Sequence, residues 1–439
     1  MKKNFFVPIL STLLITIIGC KKDDTTPPVV PSVTVSAISP ASGPKMTVVT
    51  ITGNNFGTVP ADVKVYFNNV QGVVLTVSNT TITATVPISA GTGAVKVEKN
   101  SVQVTGPVFT YVLSATVSTF AGNTPGYADG TGTAALLNFP TGIVKDASGN
   151  FFVADRDNHR IRKITPAGVV TTFAGSGTPG LVDGTGTGAS FNQPYGIAID
   201  ASNNIYISDR INHAIRKITP ASVVTTMAGN GTSGFANGTG SVARFNEPLG
   251  LAVDASGNVF VSDYINSLVR KVTPAGVVTT FAGITGNFAL TDGTGTAASF
   301  SGPFGIAFDA SGNLFIGDYN SNAIRKITPA AVVTTIAGNG TQGFADGTGA
   351  AARFNRPTQM AIDASGNMYI CDAFNERIRY ITAAGVVTTY AGSGSAGNAN
   401  GSAASATFST PIGICADWAN NAFYIADANN VRIRKITND

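Results

Sequence analysis

The stretch Asp155-Arg-Asp-Asn-His-Arg-Ile-Arg-Lys-Ile-Thr165 decides the fold of this 439-residue chain, because close copies of it follow at regular intervals. The later copies begin at Asp209, Asp263, Asp318, Asp372 and Asp427, so successive starts lie 54 or 55 residues apart. A period of this length indicates one supersecondary unit that cannot bury its own apolar face and must stack on further copies. Features present in all six copies are therefore predicted to serve the fold, and function is sought where the copies differ.

Each period contains four strand signals. In the second copy, β-branched and apolar runs occupy residues 196–200, 205–209, 214–219 and 223–229, with turn residues between them. Short runs of this kind are typical of an antiparallel meander. Four-stranded sheets repeated around an axis form a β-propeller, which leaves few free sheet edges. The sequence therefore predicts an all-β propeller domain with one four-stranded blade per copy.

The two ends of the repeat region predict how the ring closes. The last copy reaches Arg434-Lys-Ile-Thr437 without a fourth strand signal, whereas an unattached fourth-strand signal, Val117-Ser-Thr-Phe-Ala-Gly122, precedes the first copy. Counting both ends gives six strands of each type. Strand 117–122 is therefore predicted to pair with the last blade and to close a six-bladed propeller that spans residues 117–439.

One tetrapeptide in the first copy links the propeller to a family. Asn158-His159-Arg160-Ile161 resembles the motif after which NHL repeats are named, and Asn212-His213 repeats half of it. The resemblance covers residues 117–439. It implies a scaffold used for protein binding, RNA binding, extracellular sensing and, in some members, metal-dependent lyase chemistry. Such a resemblance supports the architecture and leaves the function open.

The N-terminus carries the pattern of a secretory signal. Lys2 and Lys3 precede an apolar stretch over residues 5–18 that ends in Ile17-Ile-Gly-Cys20. This stretch is too short for a stable membrane span. Ile-Ile-Gly-Cys resembles a bacterial lipobox, which implies a signal peptide over residues 1–19 and acylation of Cys20 that anchors the chain in membrane lipid. The alternative is an ordinary signal peptide with an incidental cysteine.

A short segment links the anchor to the first domain. Lys21-Lys-Asp-Asp24 resembles the lipoprotein export signal of Bacteroidetes, which implies an outer-membrane lipoprotein exposed at the cell surface. A solvated linker would use the same residues. The stretch from Thr25 to Ser32 is rich in proline and is expected to act as a semi-rigid spacer, so residues 20–32 form one anchoring segment.

A second domain is predicted over residues 33–112. Alternating β-branched runs at short spacing indicate a β-sandwich. Ser39-Pro-Ala-Ser-Gly43, Thr52-Gly-Asn-Asn-Phe-Gly57 and Phe109-Thr-Tyr111 resemble the immunoglobulin-like IPT/TIG domains. That resemblance implies a spacer or a protein-contact module.

Composition argues against nucleic acid as a partner. Charged residues make up 12% of the chain, the net charge is +4, and Lys and Arg are spread over the repeats, so no basic stripe forms. Besides Cys20 the chain has only Cys371 and Cys415, which occupy different blade positions and are expected to be free thiols among small buried residues.

The residues with chemical potential recur in a pattern that favours structural roles. His159 and His213 are the only histidines and fill the same slot in neighbouring copies, which does not supply the ligand set of a zinc site. The repeated aspartates and the arginines seven residues after them are expected to stabilise the blades. No serine elbow or phosphate-binding loop stands in the required context. No catalytic residue, metal or cofactor is therefore predicted.

The copies differ mainly on one predicted face, where the loops before strand one meet the loops between strands two and three. The loops before strand one are long and rich in glycine, which is typical of functional loops, although they could also simply shield the propeller. Around this rim the copy-specific residues are aromatic, basic or amide-bearing, as in binding surfaces. The candidate ligand-binding residues are Arg156, Gln193, Tyr195, Arg210, Glu247, Tyr264, Phe304, Tyr319 and Arg356.

The sequence is compatible with three functions. The favoured hypothesis is a cell-surface lipoprotein whose propeller binds a glycan or a protein ligand without catalysis. A propeller enzyme, either a lyase or a lactonase-like hydrolase, would need a convergent metal or acid–base set, and only Glu247 supplies an acid at the predicted rim. The third hypothesis is a structural protein of adhesion or envelope assembly.

Overall fold

The computed structural model describes residues 32–87, 90–112 and 114–438. The chain divides into two compact units between residues 112 and 113. The predicted signal peptide, Cys20 and the export segment lie outside the described residues. Within the described ranges the regular elements are β-strands and single 3₁₀ turns, and no helix there is long and apolar enough to cross a membrane.

The described part of the first unit contains eight strands. In chain order, β1 to β8 are Thr34–Ser39, Ser42–Gly43, Val48–Asn54, Val63–Phe67, Val70–Val77, Thr81–Thr85, Gly93–Lys99 and Val102–Tyr111. They are joined in the order β1-β3-β6-β5-β4-β7-β8-β2. Side chains alternate between core and solvent, so Val49 and Ile51 of β3 pack in one core with Val65 and Phe67 of β4, although two strands separate β3 from β4. Packing between such distant strands is what the predicted sandwich requires.

The second unit is a six-bladed propeller, as predicted. Strand one is Pro140–Lys145, Pro194–Ile199, Pro248–Val253, Pro303–Phe308, Pro357–Ile362 and Pro411–Asp417 in blades one to six. Strand two is Phe151–Asp155, Ile205–Asp209, Val259–Asp263, Leu314–Asp318, Met368–Asp372 and Ala422–Asp427. Strand three is Arg160–Ile164, Ala214–Ile218, Leu268–Val272, Ala323–Ile327, Arg377–Ile381 and Arg432–Asn438. Strand four is Val169–Ala174, Val223–Ala228, Val277–Ala282, Val332–Ala337, Val386–Ala391 and, in blade six, Ala115–Ala121.

Each blade has five strands, so the prediction of four strands per blade was wrong by one strand. The fifth is a two-residue strand in the loop that precedes strand one, and it pairs with strand four of the same blade. It is too short to give a periodic apolar signal in the sequence. The six copies are Gly130–Thr131, Gly184–Thr185, Gly238–Thr239, Gly293–Thr294, Gly347–Thr348 and Gly401–Ser402.

Single 3₁₀ turns fill several of the loops. They lie at Pro60–Asp62, Gly132–Ala134, Arg156–Asn158, Gly186–Gly188, Gly240–Val242, Gly295–Ala297, Gly349–Ala351, Ala373–Asn375 and Trp418–Asn420.

The predicted closure of the ring is confirmed. Strand Ala115–Ala121 pairs antiparallel with Arg432–Asn438, with Ala121 opposite Ile433 and Thr116 opposite Thr437. Blade six is therefore built from both ends of the propeller sequence.

Apolar cores lie between neighbouring blades. Strand two is buried along its whole length in blades one and two. Phe152 and Ala154 of blade one share a core with Ile205 and Ile207 of blade two. Because side chains alternate along a strand, the opposite face of each strand two packs on the preceding blade. Every blade thus depends on two neighbours.

A buried ion pair recurs at the same place in each blade. In blade one, Asp155 accepts hydrogen bonds from the Asn138 N–H (2.7 Å), Asn158 Nδ2 (2.8 Å) and Arg162 Nη1 (3.0 Å). Both charged side chains are fully buried, and Arg162 Nη2 also reaches Asp129 in the preceding loop at 2.7 Å. Burial raises the pKa of Asp155 to about 6, while the hydrogen bonds from Asn158 and Asn138 and the charge of Arg162 oppose this shift. The equivalent pairs are Asp209 with Arg216, Asp263 with Arg270, Asp318 with Arg325, Asp372 with Arg379 and Asp427 with Arg434.

These contacts confirm the predicted structural role of the repeated aspartates and arginines. Each aspartate joins strand two to the chain just before strand one, and each arginine joins strand three to the long loop. The two described cysteines are free thiols, as predicted. Burial raises the pKa of Cys415 to about 12 and that of Cys371 well above its ordinary value, so neither is a reactive thiolate at neutral pH.

Candidate functional site

The two sets of loops predicted to share a face do meet. In blade one, Asn158 Nδ2 donates to Gly126 O at 2.7 Å, and the Asp157 N–H donates to Asn138 O at 3.1 Å. Each of these bonds joins the loop after strand two to the loop before strand one. We call this side of the propeller the funnel face.

The residue just before the first-strand proline has a left-handed backbone in all six blades. Its φ lies between 51° and 69°, a region that residues other than glycine seldom adopt. Backbone strain of this kind persists only where surrounding contacts hold it, and it is common at functional sites. The six residues are Phe139, Gln193, Glu247, Gly302, Arg356 and Thr410.

The contacts that hold these residues explain the two histidines. His159 Nδ1 accepts a hydrogen bond from the Gln193 N–H, and His213 Nδ1 accepts one from the Glu247 N–H, each at 3.1 Å. Burial lowers the pKa of both imidazoles, which keeps Nδ1 free to accept. Each histidine therefore positions the rim residue of the next blade.

The funnel has a closed apolar floor. Tyr195, Leu249, Phe304 and Ile412, which come from four different blades, pack together with Ala428. The cavity at this point holds only about 20 Å³. Tyr195 is 8% exposed and Phe304 is 7% exposed, so the expectation that both lie on an exposed rim is wrong. They point to the axis because strand one is the innermost strand of each blade.

An aromatic wall rises from this floor on the side of blades three to five. Phe304 and Tyr319 stack with ring centroids 5.1 Å apart, and Tyr264 meets both rings edge to face. Tyr319 in turn meets Phe374, which is 44% exposed. Gly302 makes room for the wall, because a Cβ there would stand 2.7 Å from a ring carbon of Tyr264. We call Tyr264, Tyr319 and Phe374 the aromatic wall.

The opposite side of the rim carries paired charges. Arg210 donates to Glu247 Oε2 through Nη2 (2.6 Å) and Nε (3.0 Å), and its Nη1 donates to Gln193 Oε1 at 3.1 Å. Arg156 makes a bidentate pair with Asp157, and its guanidinium carbon lies 3.5 Å from the ring centroid of Phe139. Each arginine on this side is therefore neutralised by a carboxylate.

Arg356 differs from the two paired arginines. It is exposed, and its guanidinium carbon lies 5.3 Å from the ring centroid of Tyr319 and 4.7 Å from that of Phe374. Among the described residues no carboxylate forms an ion pair with it, whereas Arg156 and Arg210 both have one. Arg356 is thus an uncompensated positive charge at the edge of the aromatic wall.

The structure brings all nine candidate residues to one face, in two layers. Seven of them form the rim, and Tyr195 and Phe304 form the floor. Two neighbours were missed, Asp157 and Phe374, and a third, Phe139, was compared between the copies but left out of the candidates. Asp157 and Phe374 lie one position beyond the loop residues that were compared between copies, so extending the comparison by one residue would have found both. No pattern in the sequence predicts that Arg156 pairs with Asp157 and Arg210 with Glu247.

The described residues offer no evident metal centre. Within that part of the chain, no group of three or more His, Cys, Asp or Glu side chains is placed to hold a metal ion. Glu247, the acid predicted at the rim, is engaged by Arg210. The arrangement suits recognition by aromatic packing, hydrogen bonding and charge.

Comparison with known families agrees with both domains. The model of the IPT/TIG domain matches residues 33–111, and the model of the NHL repeat matches residues 137–164, within blade one. The chain thus combines a domain that matches the IPT/TIG model with a six-bladed propeller whose first blade matches the NHL repeat. Among curated proteins, NHL repeat-containing protein 2 from Bos taurus is 29% identical to this chain over 336 residues. The match covers 68% of this chain and 46% of the relative. The chain thus spans less than half the length of that relative.

Solved structures of similar architecture come from Bacteroides. A protein of unknown function from Bacteroides thetaiotaomicron is 25% identical to this chain and superposes with a TM-score of 0.61. The match covers 93% of this chain and 98% of the Bacteroides protein. A protein named as an auxiliary nutrient binding protein from the same species is 20% identical, with a TM-score of 0.59 and coverage of 92% and 97%. Another of that name from Bacteroides ovatus is also 20% identical, with a TM-score of 0.58 and coverage of 93% and 98%. At 20% identity the likeness shows a shared fold.

Proposed function

We propose that this chain is a cell-surface lipoprotein whose funnel face binds a glycan or a protein ligand without catalysing its conversion. The observation that carries the proposal is that residues differing between copies converge above one closed floor. The buried Asp–Arg pairs that stabilise the blades recur in every blade, whereas the aromatic wall and the rim charges do not, so the blade repeat does not account for them. Aromatic and arginine side chains around a concavity are typical of binding sites.

The names of two proteins that share the fold suggest a nutrient as the class of ligand. Both are called auxiliary nutrient binding proteins. The relation supports the proposal only through the shared fold. The proposal for this chain therefore rests on its own rim residues, and the class of ligand has to be determined with defined probes.

The first test concerns the aromatic wall. Tyr264→Ala combined with Tyr319→Ala is expected to weaken binding at least tenfold, since truncating aromatic hot spots costs about 2 kcal/mol or more of binding free energy. Full-length protein in detergent would be screened on a glycan microarray and in pull-downs, and the affinity for each ligand would then be measured by titration calorimetry. A modest fall in melting temperature is also expected, because both rings pack on the floor cluster.

The matched control is Trp418→Ala. Trp418 is 49% exposed and lies in the turn between strands one and two, on the side opposite the funnel face. Its removal should leave binding unchanged. Wild-type affinity in the Tyr264 and Tyr319 double variant, and in Arg210→Ala with Arg356→Ala, would move the site away from this face.

The second test concerns the proposed anchor. Cys20→Ser should prevent acylation and release the chain from membranes into the soluble fraction, because stable anchoring at this position depends on the acyl chains. Immunoblots of membranes washed with high salt and carbonate measure the distribution. If the variant still sediments with outer membranes, the lipoprotein proposal fails. Changing residues 21–24 to alanine should abolish protease sensitivity at the cell surface and leave acylation intact.

A further inference from the structure

Arg356 has the backbone conformation that its position adopts in all six blades, but among the described residues its guanidinium forms no ion pair. Its backbone is left-handed, with a φ of 58°, and its N–H donates to Asn322 Oδ1 at 2.9 Å. The guanidinium lies against Tyr319 and Phe374. A cation on the faces of aromatic rings is stabilised there, and the Arg356 guanidinium also makes a side-chain hydrogen bond with Tyr319. A guanidinium carries several N–H donors, so others remain for a further acceptor.

Three carboxylates of the funnel-face loops are engaged elsewhere. Glu376, which follows Phe374 in the same loop, accepts the Thr410 N–H at 2.6 Å, and burial raises its pKa. Asp157 and Glu247 pair with the other two rim arginines. The funnel face therefore has one side with balanced charge and one side where a positive charge adjoins the aromatic wall.

The rim also has the two features that bind a sugar ring, namely a flat apolar surface and side chains that form hydrogen bonds with hydroxyl groups. The aromatic wall supplies flat apolar surface for the C–H face of a sugar. The exposed Asn320, which directly follows Tyr319, supplies an amide that can both donate and accept hydrogen bonds at its edge. A guanidinium beside such a surface matches a carboxylate, which it can bind through two parallel hydrogen bonds.

We infer that Arg356 and the aromatic wall form a subsite for an acidic saccharide, in which Arg356 binds the carboxylate of a uronate residue. This inference rests on the proposed binding function and names the class of ligand for it. The sugar ring lies against Tyr319 and Phe374, and its carboxylate completes the charge pairing that Arg356 lacks among the described residues.

The test compares charged and uncharged forms of the same sugars. Full-length protein in detergent is titrated with a panel of uronate oligosaccharides, with their carboxyl-reduced counterparts, and with poly-glutamate as an acidic peptide. At least one uronate oligomer is expected to bind ten or more times as tightly as its reduced form, and the preference should shrink as salt is raised.

The decisive variant is Arg356→Gln. Glutamine already occupies the equivalent left-handed position in blade two, where Gln193 has a φ of 54°, so the substitution suits the backbone. It should abolish the preference for the charged form while leaving weak binding of both forms. Arg353→Gln, which changes an exposed arginine of the loop before the same strand, should keep the preference.

The outcomes separate the inference from the function on which it rests. Equal binding of charged and reduced forms by the wild type, or an unchanged preference in Arg356→Gln, overturns the uronate subsite and leaves the binding function standing. Binding of poly-glutamate with no saccharide replaces the ligand class with an acidic peptide. If no saccharide, peptide or protein binds the wild type, both proposals fail.

Discussion

A chain that begins at Asn123 is expected to yield no soluble propeller, whereas a chain that begins at Ser114 should fold. The difference between the two is the strand Ala115–Ala121, which supplies strand four of blade six. Without it, strand Arg432–Asn438 becomes an open edge, and the core that contains Ala115 and Val117 is exposed. Open edges of this kind promote aggregation, so the expected result is loss of soluble protein or a large fall in melting temperature.

Both truncations remove the first unit, so its loss cannot account for a difference between them. Soluble yield, size-exclusion chromatography and calorimetry are the measurements. If the chain that begins at Asn123 melts at the same temperature as the chain that begins at Ser114, the ring does not depend on this strand.

The second large effect is expected at the buried ion pair of blade three. Arg270→Met should lower the free energy of unfolding by about 3–5 kcal/mol, the usual result of leaving one partner of a buried pair uncompensated. Asp263 and Arg270 are both fully buried, and the guanidinium also donates to the Arg244 and Ala236 carbonyl oxygens and to Asn237. Three loop acceptors and one carboxylate therefore lose their donor together.

Chemical denaturation monitored by circular dichroism would measure this effect. Lys271→Met is the matched control, because Lys271 is the next residue on the same strand and is only half-buried. It should change stability by about 0.5 kcal/mol or less. Asp263→Asn combined with Arg270→Met should recover part of the loss, since it removes the unpaired charge. A single Arg270 variant as stable as the Lys271 control would contradict the structural role assigned to the pair.

The fold could be read from the sequence because its signals are repeated. Six copies of one strand pattern fix the blade, and the unattached signal at Val117 fixes the closure. The fifth strand was not predictable, because two residues such as Gly130 and Thr131 carry no periodicity. Repetition thus predicts what all blades share, and it gives little information on features that are shorter than a strand.

The candidate face was predictable, but the arrangement within it was not. Comparison of the copies located the variable positions, yet it could not tell that Tyr195 lies in the floor while Tyr264 stands above it. It also could not show that Glu247 engages Arg210. Those outcomes depend on distances between blades and on a left-handed φ that only the folded backbone reveals. The uncompensated charge of Arg356 becomes visible only after the pairings of the other arginines are known.

The composite sixth blade has a consequence for the order of folding during synthesis. Asn123 follows strand Ala115–Ala121 and contacts Arg432, which lies 309 residues later in the chain. At a translation rate of about 5–20 residues per second, the closing strand waits roughly 15 to 60 seconds for its partner. Blades one to five can meanwhile pack on one another, each sharing an apolar core with the next, while blade six stays open. The first strand of the propeller to be synthesised is thus among the last to pair with its native partner. Until then its backbone hydrogen-bonding groups stay unpaired and open to aggregation.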